Sequence, residues 1–250
     1  MVFRLLYSAR FYYPVFTVLF LDYGLSLEQF AILNIVWALT IVFAEVPSGA
    51  MADIVGRKRL VVFAATLMVI EMGLIVFAPI GASSLLFLLF LGNRICSGLS
   101  EAAASGADEA LAYDSLSALG REEDWPKVLE RTTQVVSIGF VLTMILGAFA
   151  YDPNLVNGLL EWLNPQWQLS GNTIIRLPVI LTLFTSVILL ITTLGFHEID
   201  TKNSSTLEAH ESASTSLLDP FRQILVAGKW TLNHRFVLFV ILAALALDSV

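Results

Sequence analysis

The sequence predicts an all-α membrane protein, and three observations carry that prediction. Hydrophobic residues make up 57% of the 250, charged residues only 14%, and mean hydropathy is +0.78, more apolar surface than one soluble core can bury. The apolar residues fall in repeated runs close to the roughly 20 residues that a bilayer-crossing helix needs. Lys and Arg gather in every second break between the runs, as in loops retained on the cytoplasmic side.

The first run covers 6–23. It carries aromatics and Pro14 and lacks the small-residue cleavage site of a signal peptide, so it is read as a retained span. Arg10, Tyr12 and Tyr13 within it suit either a cavity wall or the membrane interface, and the interface is the reading taken here. Further spans are expected over 28–52, 60–79, 84–113, 132–151 and 174–196. The loop over 153–173 holds Leu155, Leu159, Leu160, Trp162, Leu163 and Trp167, which suits a short amphipathic helix in the headgroup region or a plain loop anchored by its tryptophans. The polar, Ser/Thr-rich stretch TKNSSTLEAHESASTS reads as a mobile linker. A seventh span begins at Phe236 and is cut off at Val250, shorter than the bilayer requires. The expected organisation is a six-helix bundle over 1–197, a cytoplasmic linker over 198–235 and the truncated start of a seventh helix over 236–250.

Orientation follows from the basic residues. Arg4 and Arg10, then Arg57, Lys58 and Arg59, then Arg121, Lys127 and Arg131, then Lys202, Arg222, Lys229 and Arg235 share one side if the amino terminus is cytoplasmic. Of the fourteen Lys and Arg residues only Arg94 and Arg176 fall elsewhere. A multi-pass protein of the plasma membrane is expected, the inner membrane in a bacterium. The net charge of −7, with no basic stripe to offset it, argues against a nucleic-acid partner. The lone Cys96 and three scattered histidines supply neither a disulfide framework nor a metal cluster, and no cofactor is expected. No phosphate-binding glycine loop supports an ATP-driven pump, and no Ser/His or facing-Asp constellation supports a membrane enzyme.

Two segments concentrate charge where charge is costly. In GAMADIVGRKRL, which starts at Gly49, Asp53 ends one span and Arg57 opens the next, so each opposes its local helix dipole and calls for an opposite charge. Gly56 permits the tight turn that lets them meet, and Asp114 at the end of the fourth span is a second candidate partner for Arg57. In the fourth span Arg94, Glu101 and Asp108 recur by sevens and share a face within about 40°, with Gly98 and Ser105 between them. Ionisable groups at membrane depth face a bundle interior or a watery cavity and pair there. Arg94 and Glu101 are separated by about 10 Å of helix rise, so each needs a partner elsewhere; Glu45 and Glu71 are candidates. A buried Glu without a firm cation partner loads and releases a proton near neutral pH. The competing reading makes these charges a structural ion network.

The loop from Gly49 through Asp53, Gly56, Arg57 and Lys58 resembles the loop motif of the Major Facilitator Superfamily, with Met51 for its usual Leu and Ile54 for a usual Arg. Arg94 and Gly98 resemble that superfamily's fourth-helix motif, and SGADEALAYDSL is similar to bacterial drug-efflux-like members. The resemblance implies a six-helix half of a transporter bundle, built of two inverted three-helix repeats, plus the start of a seventh helix. It implies that Asp53, Arg57 and Asp114 latch the two halves in the outward-facing state. For Arg94, in proton-coupled members, it implies a part in proton movement. The fifth span holds Gly139 and Gly147 but no proline, a departure from the Gly-Pro motif of drug-exporting members. The expected function is secondary transport of a small organic solute by alternating access, proton-coupled through Glu45, Arg94, Glu101 or Asp108. The missing carboxyl-terminal half or a second copy would complete it. The alternative is a truncated, transport-inactive membrane protein or a half-transporter that needs a partner chain.

Overall fold

A computed structural model describes residues 1–164 and 166–196, apart from the side chains of Val46, Ala50 and Asp53. The expected linker over 198–235 and the seventh span over 236–250 lie outside the described residues. Nine α-helices make up the described chain: α1 (Val2–Ser8), α2 (Phe16–Tyr23), α3 (Leu27–Val55), α4 (Arg57–Val76), α5 (Ser84–Ala104), α6 (Ala107–Ser117), α7 (Trp125–Tyr151), α8 (Pro153–Leu163) and α9 (Gly171–Leu194). Short 3-10 turns at Tyr13–Val15 and Glu122–Asp124 link them, and no strand occurs among the described residues. Five segments are long and apolar enough to cross a membrane: Leu27–Glu45, Arg57–Val76, Ser84–Ser117, Glu122–Tyr151 and Gly171–Leu194.

The first expected span departs from a continuous helix. Its helix stops at Ser8, whose hydroxyl turns back to the carbonyls of Arg4 and Leu5. Regular α-helix resumes only after Pro14, which has no N–H to give and sits in the short 3-10 turn over Tyr13–Val15. Backbone groups freed by such a break must find partners where water is scarce. Helix α9 supplies them. Thr182 Oγ1 accepts from the Phe11 N–H at 3.0 Å, and Thr185 Oγ1 donates to the Ala9 carbonyl at 3.3 Å. Helix α7 meets the break at Gly147, where a Cβ would lie 1.8 Å from the Phe11 carbonyl oxygen. Only glycine lets the two backbones approach so closely.

The fourth expected span, read as one helix over 84–113, is also broken. Ser105 leaves helical geometry and Gly106 takes φ +75°, so α5 ends at Ala104 and α6 starts afresh at Ala107. A left-handed residue without a Cβ costs little, which makes Gly106 the natural place for this joint. By contrast α3 runs 29 residues through Pro47, started by a capping box in which Ser26 and Gln29 satisfy each other's backbone N–H. The segment expected to be an amphipathic helix or a loop after the fifth span is helix α8, capped by Asp152 accepting from the N–H groups of Asn154 and Leu155.

Helix α4 is central, packed against α5 and α9, while α3 packs on α5 and α7 on α1 and α9. Buried apolar side chains form two clusters. One gathers Tyr12, Phe20, Tyr23, Met72, Ile75, Phe90 and Val179; the other gathers Phe3, Val61, Met68, Ala103, Ala107 and Leu189. Along α4, α5, α9 and the segment over 3–12 the sequence passes from one cluster to the other through a polar belt. Glu71 lies between Met68 and Met72, Arg94 and Ser97 between Phe90 and Ala103, Arg10 between Phe3 and Tyr12, and Thr182 and Ser186 between Val179 and Leu189.

Candidate functional site: a buried charge belt between two apolar clusters

The belt is centred on Arg10, which the break after α1 places inside the bundle and 2% exposed. This corrects the interfacial reading of Arg10 and Tyr12, both of which are buried. The reason is the broken helix: a continuous 6–23 span would have spread these side chains around a helix, whereas the non-helical backbone over 9–12 turns Arg10 toward α4. There its Nη1 donates to Glu71 Oε1 at 2.9 Å and approaches the Tyr12 hydroxyl at 3.4 Å. Its Nη2 has no hydrogen-bond partner among the described residues and stands 3.8 Å from Glu101 Oε2. The rings of Tyr7 and Tyr13 lie 5.2 and 5.7 Å from its guanidinium carbon, adding a cation–π environment.

Helix α5 furnishes the second wall. Asn93 Nδ2 donates to the Glu71 carbonyl at 2.8 Å, and Arg94 Nε donates to Asn93 Oδ1 at 2.9 Å. Arg94 therefore reaches α4 only through Asn93. Its guanidinium rests over Phe16 and Phe20 at 5.1 and 5.2 Å, with Nη2 unpartnered, and it pairs with no carboxylate among the described residues. Glu101 has a side chain 48% exposed and accepts from the Tyr7 hydroxyl at 3.3 Å. Tyr7 also meets Ser100 Oγ at 3.0 Å, and Ser100 donates to the Ala64 carbonyl of α4.

The expected seven-residue face does not survive the joint at Gly106. Arg94 and Glu101 stay on α5, but Asp108 belongs to α6, where Arg4 Nη2 donates to its Oδ1 at 3.0 Å and also reaches Glu109 at 2.9 Å. Glu45 is exposed, accepts from Ser105 Oγ at 3.4 Å and meets neither Arg94 nor Arg10. Glu71, expected as a partner for Arg94 or Glu101, is instead the partner of Arg10.

The loop between α3 and α4 turns at Gly56, φ +104°, whose N–H donates to the Ala52 carbonyl. Arg57 Nη1 donates to Asp114 Oδ2 and, at 3.2 Å, to the Ala110 carbonyl, tying α4 to α6. The Asp53 side chain lies outside the description. Gly49 is exposed, with nothing near the position of a Cβ, and Lys58 is half-buried and joins no ion pair among the described residues. Helix α6 is thus held at its amino end by Arg4 and toward its carboxyl end by Arg57.

No protein-family model matches the chain, and no curated protein compared with it does. What the belt can do is read from its chemistry alone. Bringing two opposite charges into a medium of low dielectric costs several kcal/mol per ion, returned only where geometry and further hydrogen bonds are good. Here one contact is good, while Arg10 Nη2 and Glu71 Oε2 are orphaned. The pair is held but incompletely satisfied.

Arg10 carried a signal in the sequence: it is a charge inside an apolar run, four residues before a proline. What concealed its role is that its partner lies 61 residues away on another helix.

Proposed function

We propose that the chain acts as a six-helix half of a proton-coupled secondary transporter of a small organic solute, of the Major Facilitator Superfamily type. The observation that carries this reading is the Arg10–Glu71 ion pair, buried between helices long and apolar enough to cross a membrane and continued at 3.8 Å to the half-exposed Glu101. Charges at that depth are kept for transport pathways, relays or pairing within a bundle. The loop from Gly49 to Leu60 adds support, because its Arg57 joins α4 to α6 in a contact that sliding of either helix would break. In this reading Arg57, Asp114 and Asp53 form a latch at the cytoplasmic end and Glu101 faces the solute path. The amino terminus is cytoplasmic, the membrane is the plasma membrane, and a second six-helix half, supplied by a second copy of the chain, completes the cavity.

The test is flux. Proteoliposomes containing the full chain, with a pH gradient and an entrapped pH-sensitive dye, are challenged with fractions of a small-molecule cell extract. A fraction that discharges the gradient is expected, with the rate lowered in Arg57→Ala and in Asp53→Asn. If no fraction does so while the protein is inserted and monodisperse, the chain stands instead as a transport-inactive membrane protein or one half awaiting its partner chain.

A further inference from the structure

Arg10 stands between two carboxylates that differ in their access to water. Glu71, on α4, is fully buried and holds Arg10 Nη1 at 2.9 Å through Oε1, while its Oε2 has no partner among the described residues. Glu101, on α5, is half exposed, with Oε2 3.8 Å from the unpartnered Nη2 of the same guanidinium. Arg10 and its rings thus already span the gap between the two acids. A change of partner requires no more than a side-chain movement, because Thr182 and Thr185 hold the backbone at Phe11 and Ala9 in place.

The groups around Glu71 leave it as the carboxylate whose protonation alters the balance. From the first segment it faces Arg10 and Tyr12, with Tyr7 and Tyr13 against the other side of Arg10. From α5 it faces Asn93, bound to its backbone, Arg94 behind Asn93, and Glu101 across Arg10, with the thiol of Cys96 on the same helix. From α9 the belt receives the hydroxyls of Thr182, Thr185 and Ser186 and no charge, since the single charge of that helix, Arg176, is at the far end donating to the carbonyls of Val76 and Ala78. Among the described residues Arg10 is the one cation in direct contact with Glu71, and a burial this complete penalises an ionised carboxylate that loses its cation.

We propose that Glu71 is the proton-carrying carboxyl of the protein and that Arg10 is the switch it controls, passing from Glu71 to Glu101 when Glu71 is protonated. The inference rests on the proton-coupled reading above and names its proton-binding group. One proton from water adds to a Glu71 oxygen, giving a neutral carboxylic acid; Arg10 keeps its charge and the cluster gains one positive charge. The Coulomb attraction that held Arg10 at α4 is then gone. Glu101 becomes the one carboxylate within reach, so the cation is drawn toward the exposed wall of the belt and withdraws when the proton leaves. Glu101 thereby reports the protonation of Glu71 at a surface a solute can touch.

The proton itself is the probe. The full chain is reconstituted in lipid and followed by attenuated total reflection infrared spectroscopy as the pH is lowered, reading the C=O stretch of a protonated, weakly hydrogen-bonded carboxyl. The band is expected in the wild type, retained in Glu101→Gln and lost in Glu71→Gln. Loss in Glu101→Gln, or survival in Glu71→Gln, overturns the proposal. Because Glu101 is half exposed, the Glu101→Gln protein decides the matter even where Glu71→Gln fails to fold. Glu71→Asp then serves as the second variant: the band remains, but its midpoint moves, and an unmoved midpoint also overturns the assignment. Failure here is separable from failure of the transporter reading: gradient-driven flux with the band traced to Glu101 sinks only the Glu71 assignment, whereas a Glu71 band without flux supports the assignment and sinks the transporter.

Discussion

At the scale of single residues, the ion pair of Arg10 and Glu71 shows how a buried charge is held without being fully satisfied. Removing Arg10 leaves Glu71 buried without its cation, and removing Glu71 leaves Arg10 only its 3.8 Å approach to Glu101, losses of up to about 3–5 kcal/mol, whereas replacing both with apolar groups of similar volume is often neutral. Glu71→Leu and Arg10→Met are therefore each expected to lower the thermal unfolding midpoint in detergent markedly. The Arg10→Met/Glu71→Leu double variant is expected to unfold closer to the wild type than either single change. A double variant that is as unstable as the sum of the two would mean the pair does not share its energetics as the 2.9 Å contact implies. The same comparison separates Arg94, which touches no carboxylate among the described residues: Arg94→Met is expected to be tolerated better than Arg10→Met. The charges of the fourth span and Glu71 were visible in the sequence as costly residues in apolar runs. Their pairing was not, because partners 61 residues apart are joined by helix packing and not by spacing.

At the scale of elements, two breaks organise the site. The break over 9–12 depends on neighbours: α9 bonds its freed backbone groups and α7 comes close at Gly147. Gly147→Ala places a methyl into the Phe11 carbonyl, so a loss of about 1–3 kcal/mol is expected from overpacking, read as a lower unfolding midpoint. Gly139→Ala presses instead on the tip of the Leu5 side chain, which can turn aside, and is expected to cost less. Thr182→Val keeps the shape but removes the acceptor of the Phe11 N–H. A buried donor left unpaired costs about 1–3 kcal/mol; faster amide exchange at Phe11 in that variant is the local check. At the second break, Gly106→Ala forces a Cβ into φ +75°, a penalty of about 1–2 kcal/mol. If the variant is as stable as the wild type, the α5–α6 joint has closed into one helix. Pro14 was legible as a disturbance in the first span, and Gly106 was available to be read, yet an isolated Gly in a long apolar pattern is compatible with a straight helix as well. Which happens depends on whether Arg4 and Arg57 are there to hold a redirected α6, and that is a property of the packed bundle.

At the scale of the whole molecule, the distribution of Lys and Arg predicts an orientation that is open to direct test. In a Cys96→Ser background, single cysteines at Arg59 and Lys127 are expected to react with a membrane-impermeant maleimide only after the cells are opened, and one at Asn157 before. Labelling of Arg59→Cys in intact cells would reverse the orientation. The sequence by itself determined the helical class and the approximate place of the apolar helices, because a chain with so much apolar surface and so few charges must satisfy its backbone internally and has few ways other than helices to do so. It also marked the loop from Gly49 to Leu60 and the costly charges, since residue type and local spacing are properties of the chain alone. The tertiary structure decided where the first and fourth expected spans break, that Asp108 leaves the face of Arg94 and Glu101, and that Arg10 meets Glu71. Those outcomes depend on contacts between distant helices, among them a threonine bonding a freed backbone group, a glycine admitting a carbonyl and an arginine turned inward. None of these has an energy until the helices pack, so no local pattern could encode them.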